Sequence, residues 1–184
     1  LDQVTQAALA HYRRTGELRR LPPDERLRVA RAMARLGGAS VSLGRASESD
    51  ASLEFAGRLA AELLEEEPGR ADAQVVVAQV ELARAGGGGV TGLEHARRAV
   101  AAADAALALA PGDATARALG ARARVAEAQL TDDGAAVSRL LDSAAIQWTP
   151  AELAEPGTAT EVRAALLQDA AGRVLVLLPA ATLL

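Results

Sequence analysis

The chain has 184 residues, half of them apolar but only 2% aromatic, with a net charge of -4 and a pI near 5.3. It contains no Cys, no Lys and no Asn, which excludes disulfides, thiolate chemistry, Schiff bases, a P-loop lysine and N-glycosylation. An acidic balance argues against nucleic acid as a partner, and no apolar run reaches the ~18–20 residues that cross a bilayer.

With one Phe, one Trp and one Tyr, the core must be built from Ala, Leu and Val. Such a core suits closely packed helices better than a β-sandwich, whose strands favour aromatic and β-branched residues. Apolar residues recur at spacings of three and four through most of the chain, the mark of one buried stripe per helix. Val4, Ala8 and His11/Tyr12 predict a short helix ending near Gly16. Pro22-Pro23-Asp24 opens a second, with Leu27, Ala30, Ala34, Gly37 and Val41 on one face and Gly44 as its stop. A third carries Leu53, Ala56, Ala60 and Leu63 and stops at Pro68-Gly69. A fourth carries Val76, Val80 and Ala83 and stops at the glycine run from Gly86 to Gly89. The fifth carries Leu93, Ala96, Val100, Ala103 and Leu107, ending at Pro111-Gly112. The sixth has Leu119, Ala123, Ala126 and Leu130; the seventh has Val137, Leu141, Ala144 and Trp148 and stops at Pro150.

The stops are periodic. Pro23, Pro68, Pro111 and Pro150 are 45, 43 and 39 residues apart, with two helices between each consecutive pair. A helix pair repeating every ~40 residues is the pattern of an α-solenoid; an up-and-down bundle is the alternative. The pairs also share landmarks: Leu36-Gly37 and Leu119-Gly120 in first helices, and Ala99, Ala106 and Pro111, then Ser138, Ala145 and Pro150, in second helices. These resemble the tetratricopeptide repeat, in which Leu-Gly marks the first helix, small residues sit at two crossing points of the second, and Pro closes the pair. The stretch from Gly44 to Pro68 is about two turns longer than the standard second helix, like the longer repeats of bacterial signalling proteins and kinesin light chains. The resemblance spans about residues 27–150, with aliphatics at nearly all of the family's aromatic positions. It implies an all-α solenoid of about three antiparallel helix pairs with terminal capping helices.

On this reading residues 1–20 are a partial preceding repeat, 21–150 the repeats, and 151–184 a capping helix (Val162, Ala165, Leu166 and Asp169 along one side) followed by an apolar tail. The segment 173–179 is β-like in composition or an extended strap. The absence of Lys and Asn, whose codons are AT-rich, points to a GC-rich bacterial genome. The Leu1 start points to a piece of a larger protein, and the lack of a leader pattern to the cytoplasm.

Chemistry-bearing motifs are sparse. The run from Gly86 to Gly92 lacks the lysine and preceding strand of a phosphate loop and reads as a turn within a helix hairpin. His95 has Glu94 as its neighbour and Asp104 further along, but adjacent helical residues point about 100° apart; His11 and His95 read as boundary or surface residues. Asp132-Asp133-Gly134 reads as a turn and helix cap. The acidic stretch from Glu62 to Glu67 ends a helix against its dipole and offers a contact for a basic partner. No catalytic, cofactor-binding or metal-binding residue is expected.

Arginine placement says more. Arg28, Arg31 and Arg35 share one side of the second helix, and Arg117 and Arg124 are seven apart on the sixth. In the resembled family first helices line a concave groove for ligand peptides, where such stripes would pair bidentately with carboxylates; a merely solvated face is the plainer reading. The family's clamp for C-terminal carboxylates uses Lys and Asn, both absent here. The expected function is therefore a non-catalytic scaffold binding an acidic protein segment, within a larger bacterial signalling or defence protein. A small helical enzyme or cofactor-binding bundle is the alternative.

Overall fold

A computed structural model describes residues 21–86 and 89–131, together with positions 139 and 143. The helix expected before Gly16, most of the seventh helix, and the cap and tail beyond it lie outside the described residues. What is described is all-helical, with no strand among those residues. Five helices follow one another: α1 (Pro23–Ser42), α2 (Ala46–Glu66), α3 (Ala71–Ala85), α4 (Gly89–Leu109) and α5 (Ala114–Leu130). None of the helices among the described residues is long and apolar enough to cross a membrane.

The punctuation acts as its chemistry dictates. Pro23 opens α1, where its missing N–H costs nothing, with Asp24 and Glu25 in the first turn against the helix dipole. Gly44 follows α1 with φ of 71°, a left-handed conformation that suits glycine. Asp113 caps α5 by accepting from the backbone N–H of Thr115 (2.8 Å) and Ala116 (3.1 Å). The glycine run is less of a loop than expected: α4 begins inside it, at Gly89, and carries Gly92 in its first turn.

Each helix packs on the next in sequence, and α3 also packs on both α1 and α5. By contrast, α1 makes no extensive contact with α4 or α5. The pairing of ends gives directions. Arg26 at the start of α1 donates a two-pronged bond to Glu66 at the end of α2, one prong 2.8 Å long. Ser49 at the start of α2 donates to the Gly37 carbonyl late in α1 (3.0 Å). These two helices therefore run oppositely. Arg70, just before α3, bonds Asp24 of α1 and Asp72 (3.0 Å), and Arg31 of α1 lies 3.9 Å from Asp72. Those contacts place the starts of α1 and α3 together, so the two run the same way. Hydrogen bonding to Asp24 and Asp72 raises the Arg70 guanidinium above its ordinary value, over the opposing effect of desolvation.

Two clusters of the core lie wholly among the described residues. One gathers Leu27, Ala30, Leu53, Phe55, Leu59 and Leu63 from α1 and α2 with Val76 and Val80 of α3. The other joins Val75 and Ala78 of α3 to Ala102, Ala103 and Ala106 of α4 and Ala116 and Leu119 of α5. Thus α3 is buried on two sides, which one apolar stripe does not describe. In α4 the buried stripe is Ala96, Ala99, Ala102, Ala103 and Ala106, whereas the expected Leu93, Val100 and Leu107 are half-buried. Helix contact selects the smallest side chains there, not the most apolar.

Arg26 is buried while its partner Glu66 is half exposed, and the bond to Glu66 raises the guanidinium above its ordinary value. Removing the carboxylate would leave the buried cation without its hydrogen-bonded partner, with the charge of Glu62 still favouring it. Glu66→Ala is expected to lower unfolding free energy by about 1–3 kcal/mol, with Glu66→Gln losing less, as read by urea denaturation.

Candidate interaction groove

The sequence offered five arginines. Arg28 is exposed on α1, and Arg31 is partly exposed against Asp72. Arg35 is exposed and lines a cleft of about 360 Å³ that crosses α1, α3 and α5. Arg117 is partly buried on α5. Arg124 does not belong to the stripe: it is buried, donating to both Asp104 oxygens (2.7 and 2.8 Å) and to the Gly120 carbonyl (3.2 Å). It is a strut between α4 and α5, and the carboxylate it was expected to take from a partner is supplied by Asp104. The arginine of α5 that lines the cleft is Arg122, which spacing from Arg117 did not single out.

The cleft combines charge with an aliphatic floor. Arg35 lies on α1, Gln79 and Leu82 on α3, and Leu119 and Arg122 on α5, and among the described residues no carboxylate lines it. Arg35, Gln79 and Arg122 are 44 and 43 residues apart, close to the 45 and 43 residues between Pro23, Pro68 and Pro111, and one cleft brings them together. That recurrence was the available signal for Gln79 and Arg122.

A second cluster lies nearer the ends of α3 and α4. The buried Glu81 carboxylate holds His95 Nδ1 at 2.7 Å, Arg84 at 3.1 Å and Arg98 Nε at 3.2 Å. Arg98 Nη2 also approaches His95 Nδ1, at 3.2 Å. That nitrogen carries at most one hydrogen, and the shorter contact assigns it as a donor to Glu81. His95 thus finds its carboxylate on the preceding helix rather than in Glu94 or Asp104. His95 and Arg84 border a cleft of about 500 Å³ that also reaches Ser49, Asp50 and Thr91. Among the described residues no group of three or more His, Cys, Asp or Glu side chains is placed to hold a metal ion.

Comparison of the chain with protein families, with curated proteins and with solved structures found no match.

Proposed function

We propose that the chain is a non-catalytic helical-repeat scaffold, a tetratricopeptide-like solenoid of antiparallel helix pairs that holds an acidic protein segment against α1, α3 and α5. The observation that carries this reading is the cleft in which Arg35, Gln79 and Arg122 recur at the repeat period over an aliphatic floor. The pattern of helix contacts supports it. First helices of successive pairs touch, as α1 with α3 and α3 with α5, while α1 makes no extensive contact with α4 or α5. A closed bundle would bring its first and fourth helices together. The sequence-level inference of a module within a larger bacterial signalling or defence protein belongs to the same proposal. The enzyme alternative has less support, because the Glu81 carboxylate that meets His95 also holds Arg84 and Arg98.

Selection of random peptides on the immobilised chain tests the reading. Enriched sequences should be acidic and should bind more weakly as salt rises. Arg35→Glu should reduce capture several-fold, since each exposed ion pair contributes about 0–1 kcal/mol and reversal adds repulsion. Arg58→Glu, on the exposed surface of α2, should leave it unchanged. Neutral or basic winners, or equal capture by the two variants, would place the interface elsewhere.

A further inference from the structure

We infer that the acidic segment held by the groove carries one basic residue, Lys or Arg, toward one end, and that the cleft beside His95 receives it. This inference rests on the groove reading above and adds to it a second charge, of opposite sign, and with it a direction.

The groove and the cleft beside His95 are continuous. Val41 of α1, Ala83 of α3 and Gly86 line both. Two of these three are Ala and Gly, so little side chain rises between the clefts. From Arg35 the surface follows α1 to Val41, about 9 Å further along the helix axis. It then passes Gly44 and reaches Asp50 of α2 and Thr91 and His95 of α4.

The charges left available at the two ends of this surface are opposite. Arg35 in the groove and Asp50 in the second cleft are both exposed, and neither side chain makes an ion pair or hydrogen bond among the described residues. The second cleft has a cation of its own in Arg84, but Glu81 holds it at 3.1 Å. His95 adds an acceptor: with Nδ1 donating to Glu81, Nε2 of the neutral ring keeps its lone pair. A free carboxylate and a ring acceptor complement an ammonium or guanidinium, whose polar atoms are all donors and carry positive charge. A second acid would instead meet Asp50, and like charges oppose docking. A segment lying along both clefts therefore has its acid over Arg35 and its base over Asp50. Reversed, it would set each charge against its like.

Selection of random peptides on the immobilised full chain, wild type and Asp50→Arg, tests the inference. Wild-type winners should be acidic overall, with one Lys or Arg on a constant side of the acids. Winners on Asp50→Arg should lack that residue. A labelled wild-type winner, read by fluorescence polarisation in low salt, should bind Asp50→Arg several-fold more weakly. The same peptide with Glu in place of its basic residue should regain that loss on the variant. Thr91→Arg sets a cation on the α4 side of the same cleft and should act like Asp50→Arg, which keeps the test informative even where one variant melts early. Winners without a basic residue that bind both variants as tightly as wild type, yet weaken with Arg35→Glu, would overturn the inference and leave the groove standing. Winners indifferent to Arg35→Glu, or no enrichment at all, would overturn both.

Discussion

Gly37→Leu should lower the stability of the fold by about 2–3 kcal/mol, because a side chain there has nowhere to go. A Cβ at Gly37 would sit 2.6 Å from Leu53 Cδ2 and Cγ, and 3.3 Å from the Leu53 backbone nitrogen. Leu53 is itself fully buried in the shared core of α1, α2 and α3, so it has little room to retreat. The gain in helix propensity on replacing glycine, at most about 1 kcal/mol, is too small to offset the overlap. Leu53→Ala alone should cost about 2–5 kcal/mol through the cavity it leaves. The double variant should be less destabilised than the sum, since the new side chain occupies the space Leu53 gives up. Chemical denaturation of the four proteins checks this; strict additivity would mean that Gly37 and Leu53 do not share one contact.

Ala106→Leu should also be costly, by about 1–3 kcal/mol, whereas Ala101→Leu should change stability by less than about 0.5 kcal/mol. Both residues are alanines on α4, five positions apart. Ala106 is fully buried in the cluster that joins α3, α4 and α5, and Ala101 is exposed. Thermal melts should separate the two variants by several degrees. Coincident melting temperatures would contradict the placement of the small residues at helix contacts.

How much the sequence revealed depends on the kind of signal. Helix limits were legible at Pro23, Gly44, Pro68 and Pro111, because proline and glycine act locally on the backbone. Gly37 was legible as the glycine of a Leu-Gly landmark on the inner face of its helix, and the structure shows Leu53 pressed against it. The buried face of α4 was read with a rotation. Apolar periodicity weights Leu and Val, but a helix squeezed between neighbours buries its alanines. Charge partners were the least legible. Glu81 and His95 are fourteen residues apart, and Arg124 and Asp104 twenty, distances that the 3.6-residue period of one helix does not encode. For the same reason Arg124 looked available and Arg122 went unnoticed. Exposure of a helical arginine is decided by the helix packed beside it.

The most direct test of the groove is to see which amides respond to an acidic segment. Titrating the 15N-labelled chain with the capped peptide Glu-Ser-Leu-Ser-Leu-Ser-Glu should shift resonances along one face of α1, α3 and α5, centred on Arg35, Gln79, Leu82 and Arg122. Shifts gathered on α2 and α4 instead, or none at all, would contradict the account.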